Sequence, residues 1–230
     1  MIIEGIATNI QDVHDLNRFG ADRIELCGEM EKDGLTPEMN LVKEAVAVSS
    51  IPVNVMIRPH DESFHYTDVD IQQMTKQIEE VESYGANGIV LGALTEDGRI
   101  DVRALDRFIS VCKDMDITFH KAFDALEDQS EGLEVILKYP EVGSILTSGG
   151  SGGVTDNFRN LQKLMERTER THVTVMPGGG LSTENISEVV ETLKPDSLHF
   201  GIGIRSAKSY DAEISKEKIA FIRTFEGNGR

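Results

Sequence analysis

The 230-residue chain has no tryptophan, two cysteines, six prolines and only 6% aromatic residues. Cys27 and Cys112 form no C-x-x-C pair, so the spacing offers neither a zinc ribbon nor a thioredoxin-like redox motif. No Pro- or Gly-rich stretch reads as a linker, so one domain over residues 1–230 is expected. No run approaches the roughly 18 apolar residues of a membrane span. The start, Met1-Ile-Ile-Glu-Gly5, has neither the basic nor the long apolar segment of a secretory leader. A cytoplasmic location with reduced thiols is therefore expected. Basic residues are also scarce: 23 Lys and Arg face 40 Asp and Glu, a net charge of −17. That field opposes nucleic acid and anionic membrane surfaces. It does not oppose a small anion or a metal ion held at a local site.

What the chain does have is enough apolar material for a core. Hydrophobic residues make up 39%, and 21 glycines bring the share near the globular norm. A chain of this length buries about 70% of its unfolded surface. Eight short apolar or β-rich runs recur: Ile2–Thr8, Asp22–Cys27, Pro52–Arg58, Gly88–Gly92, Ile117–Lys121, Gly143–Thr147, His172–Met176 and Ser197–Phe200. Between them lie segments with helical periodicity, such as Gln73–Tyr84 and Val102–Cys112. Thr36-Pro37-Glu38 and Ser182-Thr-Glu read as helix starts. Strict alternation predicts parallel strands and right-handed crossovers, hence an α/β (β/α)₈ TIM-type barrel. A doubly wound sheet is the alternative, but Thr8-Asn-Ile-Gln stands where its G-x-G-x-x-G would be.

In a barrel, chemistry sits where the strands end. In Asp22–Cys27, alternation puts Arg23, Glu25 and Cys27 on one face and Ile24 and Leu26 on the other. Glu25 thus points inward, as an acid–base group, a metal ligand or half of a buried ion pair. Arg58 ends the third strand with a fork suited to a carboxylate or phosphate, or to a glutamate inside the barrel. His60, Asp61, Glu62 and His65 follow on a loop that reads as solvated. His120 on the fifth strand can act as acid, base or ligand near neutral pH, and Asp124 just past it is placed to orient a base or touch substrate. Thr147-Ser148-Gly149-Gly150, Gly178-Gly179-Gly180 and His199 close the last three strands. Glycine loops there bring backbone N–H groups close to an anion such as phosphate. Cys112 lies on an apolar helix face and reads as inert; Cys27 is the thiol near the mouth.

Taken in order, these stretches resemble the CutC family. The matching segments are Gly20-Ala-Asp-Arg-Ile-Glu-Leu-Cys27, Gly34-Leu-Thr-Pro37, Val55-Met-Ile-Arg-Pro59, Phe64-His-Tyr66, Gly88-Ile-Val-Leu-Gly-Ala-Leu-Thr95, Thr118-Phe-His-Lys-Ala-Phe-Asp124, Ile145-Leu-Thr-Ser-Gly149, Gly178-Gly-Gly180 with Asn185, and Leu198-His199. The resemblance implies a (β/α)₈ barrel, a cytoplasmic homodimer or higher homo-oligomer, and copper homeostasis through Cu(I) at Cys27. The sequence departs from the family where Gly5-Ile6-Ala7 follows Glu4, where a cysteine is common. His60 and Lys121 replace arginines, and Phe200-Gly-Ile-Gly-Ile replaces a run of small residues. Two functions follow as expectations. One is copper handling. The other is a barrel enzyme with Glu25, His120 and Asp124 as acid–base or divalent-metal residues. In that enzyme Arg58, Thr147, Ser148, Gly149, Gly179, Gly180 and His199 hold a small anionic or phosphorylated metabolite.

Overall fold

The alternating runs fold as parallel strands joined by helices in the computed structural model, which describes residues 1–225. In chain order the elements are β1 (Ile2–Ala7), α1 (Ile10–Phe19), β2 (Arg23–Leu26), α2 (Met39–Val48), β3 (Val53–Met56), α3 (Asp68–Ser83), β4 (Gly88–Leu91) and α4 (Val102–Ile109). They continue with β5 (Asp116–Phe119), α5 (Gln129–Ile136), β6 (Val142–Thr147), α6 (Phe158–Thr168), β7 (Thr174–Pro177), α7 (Ile186–Leu193), β8 (Ser197–Phe200) and α8 (Lys216–Arg223). The hydrogen-bonded order is β7-β6-β5-β4-β3-β2-β1-β8, and a parallel bridge between Gly178 and His199 brings β7 to β8. This is the (β/α)₈ barrel. All eight strands run the same way, so their C-terminal ends share one rim.

Alternation along the strands splits the core in two. Ile24, Leu26, Val53, Val55, Ile89, Leu91, Ile117 and Phe119 face outward and pack with Val13, Leu16, Met74, Ile78 and Phe108 of the helices. Ile6, Cys27, Met56 and Val90 face inward and form a small second cluster, with Met30 and Tyr210 against it. Among the described residues no helix is long and apolar enough to cross a membrane.

Caps explain several helix boundaries. The Asn9 side chain accepts from Asp12 N–H to start α1, and Gly20 ends it at φ 90°, a left-handed conformation that glycine adopts without strain. Thr67 and Asp70 form a capping box, so α3 begins well before the periodic stretch at Gln73. Thr36-Pro37 does not start α2. Pro37 biases Thr36 to an extended backbone, the helix begins at Met39, and Thr36 bonds the β3 loop instead. The Ser182 hydroxyl accepts from Glu184 N–H one turn ahead of α7. The seventh strand starts at Thr174, two residues after His172, which bonds the Tyr139 carbonyl.

Candidate functional site

The strand register puts Glu4 between two bases. Its direct neighbours are Arg23 on β2 and His199 on β8. Arg23 Nε donates to Glu4 Oε2, and His199 Nδ1 lies 2.8 Å from Glu4 Oε1. Across the interior, His199 Nε2 stands 3.7 Å from Glu25 Oε2, which accepts from the Cys27 thiol at 3.3 Å. A chain of five polar side chains results, buried except for the partly exposed Arg23. Burial alone would raise the Glu4 pKa, but the His199 hydrogen bond and the Arg23 charge outweigh it and hold it below the usual carboxylate range. Burial raises Glu25, reinforced by the Glu4 charge. His199 loses by burial but gains more from Glu25 and Glu4, so its pKa rises. Burial and the Glu25 charge push the Cys27 thiol well up, so it stays protonated.

Above this chain lies a cavity of about 640 Å³ at the C-terminal rim. Glu25, Arg58 and His120 all line it, and each carries a buried polar atom with no hydrogen-bond partner: Glu25 Oε1, Arg58 Nε and His120 Nε2. Arg58 does not enter the Glu4 network. Its Nη1 donates to the carbonyls of Lys32, Asp33 and Gly34, and its guanidinium lies 5.0 Å over the Phe64 ring. Arg23 takes the part of inward base that the sequence offered to Arg58. His120 stands just past β5, and its Nδ1 accepts from Ala122 N–H at 3.1 Å. That bond assigns the ring proton to Nε2. Burial, then the Arg58 charge, lowers the His120 pKa to about 3, so the ring is neutral at pH 7.

The loops after β6, β7 and β8 complete the lining of this cavity. Ser148, Gly150, Ser151, Gly152, Gly179, Gly180 and Gly203 line it with Lys121. Two glycines here are obligatory. Gly179 has φ 120°, and a Cβ on it would sit 3.1 Å from Ser148 Cβ and 3.4 Å from Lys121 Nζ. A Cβ on Gly203 would fall 1.8 Å from the Leu181 carbonyl oxygen, so only glycine lets the β7 and β8 loops meet.

Asp124, expected to orient a base or touch substrate, lines the cavity with its carboxylate engaged by the β6 loop. Its Oδ1 accepts from the Thr147 hydroxyl, Gly150 N–H and Gln129 Nε2, and its Oδ2 from the Ser148 N–H and hydroxyl. A carboxylate so occupied positions the glycine loop. Thr147 and Gly149 stand behind that loop. The Thr147 hydroxyl turns to Asp124, and Gly149 abuts Leu161 and Asn157 on the α6 side. His199 is both a cavity residue and a member of the Glu4 chain.

The two cysteines lie in different layers. Cys27 is fully buried in the inner cluster, while Cys112 packs in the outer core and donates to the Met115 carbonyl. Burial raises the Cys112 pKa to about 11. Sequence reasoning named Glu4, Arg23 and Lys121 without giving them a part in the site, and did not name Met30 or Tyr210. Alternation alone would have paired Arg23 with Glu25 on the inner face.

Glu4, Glu25 and His199 each offer a ligand atom, all within 4.8 Å of one another, and could together hold a metal ion. The His60–His65 loop forms no such group among the described residues. Two carboxylates and an imidazole suit a hard or borderline divalent ion, whereas Cu(I) prefers sulfur. The donor set of the triad therefore does not fit Cu(I).

Comparison with known proteins agrees with this architecture. The profile of the CutC family matches residues 1–203. A CutC family protein of Enterococcus faecalis is 39% identical over 206 residues, covering 86% of this chain and 98% of its own. The human copper homeostasis protein cutC homolog is 35% identical over 219 residues, covering 95% and 79%. The crystal structure of CutC from Streptococcus agalactiae superposes with a TM-score of 0.81 at 28% identity, covering 87% of this chain and 98% of that one. Phosphoribosyl anthranilate isomerase from Thermococcus kodakaraensis shares the barrel, with a TM-score of 0.66 at 17% identity over 99% of each chain. With a family profile spanning most of its length and two relatives above 30% identity, the chain belongs to the CutC family.

Proposed function

We propose that the chain is an enzyme acting on a small anionic, phosphorylated metabolite bound in the rim cavity. One observation carries this reading: three buried ionisable side chains, Glu25, Arg58 and His120, line one cavity together with the glycine loops and Lys121. Barrel enzymes place catalytic groups at strand ends and phosphate at the last loops. In this reading Lys121 and the loops at Ser151 and Gly179–Gly180 hold the phosphate. His120 donates from a fixed Nε2–H, and Glu25 exchanges protons with the substrate. Asp124 keeps the β6 loop in shape. Inorganic phosphate is the first probe, by calorimetry. Wild type should bind it, and Lys121→Ala should weaken binding by about tenfold or more, the worth of one charge-assisted hydrogen bond. Absent binding, or an affinity indifferent to Lys121, rejects the phosphate wall.

The resemblance supports a second reading, copper handling in a cytoplasmic homo-oligomer. Its physical support is sulfur. Cys27, Met30 and Met56 line the same cavity, and the Met30 and Cys27 sulfurs both flank Gly34. Thiolate and thioether are Cu(I) ligands, although the neighbouring Glu25 disfavours the thiolate. Anaerobic Cu(I) titration against a competing chelator separates the readings. Tight binding lost in both Cys27→Ser and Met30→Leu supports copper, and weak binding indifferent to Cys27 removes it.

A further inference from the structure

The chain that joins Glu4, His199 and Glu25 is unevenly served, and the unevenness divides its members. Glu4 is satisfied on both oxygens, by Arg23 Nε on one and by the His199 ring on the other. A carboxylate held ionised is an acceptor only, so the proton of this bond belongs to His199 Nδ1. Glu25 is as deeply buried, at 2% exposure, but poorly served. Its Oε1 has no partner, and its Oε2 accepts only from the Cys27 thiol, a weak donor. His199 Nε2 stands 3.7 Å from that Oε2, too far for a hydrogen bond, and makes none elsewhere among the described residues. With the neutral ring protonated at Nδ1, Nε2 turns a lone pair toward a carboxylate across an open gap. Two ligand bonds of about 2.1 Å to one ion are enough to bridge it.

The surroundings are those of a ligating histidine. Such an imidazole donates its other N–H to a carboxylate, which fixes the tautomer and the ring. Glu4 does this from the position directly opposite His199 in the β1–β8 register. Arg23 holds Glu4 in turn and offsets its charge. Glu25 is left as the carboxylate without a basic partner at hydrogen-bond length. A buried anion is costly unless a cation accompanies it. Glu25 and His199 both line the rim cavity, so an ion between them is reached from the cavity and completes its shell there.

We infer that His199 Nε2 and the Glu25 carboxylate bind a divalent cation of the zinc class, and that Glu4 is a positioning residue that holds the imidazole for it. The cluster of three thus splits into two ligands and one support. Nitrogen and oxygen donors suit a borderline divalent ion, and sulfur takes no part in the site. An ion with only two protein ligands keeps open positions for water or an anion from the cavity. The site stands whether or not that anion carries phosphate. It changes one assignment made above: with the ion bound, Glu25 is a ligand and not the proton carrier.

Calorimetry of the metal-stripped protein with zinc chloride tests this. Wild type should bind one Zn²⁺ that Glu25→Gln loses. Glu4→Gln should weaken that binding by about 10–100-fold, the usual worth of a carboxylate behind a ligating histidine. Cys27→Ser keeps a donor to Glu25 and should bind as wild type does. Lys121→Ala should also keep its Zn²⁺ affinity, which separates this site from the phosphate wall. Where a glutamate variant fails to fold, ¹⁵N-histidine spectra of wild type decide the matter: Zn²⁺ should shift His199 Nε2 and leave Nδ1 protonated. Equal binding by a folded Glu25→Gln means an adventitious ion on a chain of net charge −17 and overturns the site. Loss of binding in Cys27→Ser moves the ion to the thiol and overturns it too, as does a His199 signal that Zn²⁺ leaves unmoved. Wild-type affinity in Glu4→Gln overturns the positioning role. Zn²⁺ that binds and shifts Nε2 in a protein indifferent to phosphate keeps this site and rejects the phosphate wall.

Discussion

Arg205→Ala should lower stability by about 3–5 kcal/mol, the cost of stranding one partner of a buried ion pair. For a chain of this size that is a fall of roughly 6–20 °C in melting temperature. Arg205 is 1% exposed and ties three parts of the rim together. Its Nη2 donates to Asp12 Oδ2 at 2.7 Å and to the Ile6 carbonyl at 3.2 Å. Its Nη1 donates to Asp12 Oδ1 and to the carbonyls of Tyr210 and Ala212. The substitution strands a buried Asp12 anion at the start of α1 and frees the segment that carries Tyr210 onto the cavity. Arg205→Lys keeps the charge but loses the planar fork, so it should recover only part of the loss. Denaturant midpoints measure both. A loss under about 1 kcal/mol in Arg205→Ala would place the pair among the weak surface bridges and refute its buried role.

The second large effect is a dependence on acid. His120 is neutral in the folded protein, with a pKa lowered to about 3 by burial and then by the Arg58 charge. In the unfolded chain an ordinary histidine titrates near 6.5. Between those values the unfolded state binds the extra proton, so stability rises with pH. The contribution of His120 is complete above about pH 6.5 and is lost as pH falls toward 3. The slope approaches about 1.4 kcal/mol per pH unit, and the total is of order 5 kcal/mol. His120→Phe should lose this slope. At pH 7 it should cost roughly 1–3 kcal/mol, because Ala122 N–H loses its acceptor. The difference in stability between wild type and variant should therefore shrink and reverse as pH falls from 7 to 4. Parallel stability curves over that range would show that the ring is not held neutral. His199 has the opposite sign. Its pKa is raised, so its share is present below the unfolded value and is lost as pH rises through the folded one.

Much of this protein was legible in one dimension. Short apolar runs alternating with helical periods specify a parallel barrel, because each unit must bury one strand and one helical stripe locally. Period-two alternation was enough to turn Glu25, Arg23 and Cys27 inward together, because side-chain direction along a strand is a local property. Parallel strands with a common rim then identify the end where Arg58, His120 and the glycine loops gather. The resemblance to the CutC family was carried by motifs spread along the chain, and the family profile and relatives bear it out.

Pairing is where local rules run out. Glu4 meets Arg23 19 residues away and His199 195 residues away, through the register of β1 against β2 and β8. Register is a property of the closed sheet, so neither contact follows from alternation. Asp124 read as a residue to orient a base or touch substrate because it lies just past a strand histidine. Only the folded β6 loop shows five donors occupying its carboxylate. Arg58 looked free to pair with a glutamate until the β2 loop brought three carbonyls to one of its nitrogens. Cys27 and Cys112 are equally apolar in sequence, yet the barrel wall separates them into inner and outer cores. The sequence by itself determined the architecture and which end gathers the candidate residues, because periodicity and strand direction are written within each element. Which charges meet, which polar atoms stay unpartnered and which loops touch were decided by tertiary structure, because those contacts join residues that only barrel closure brings together.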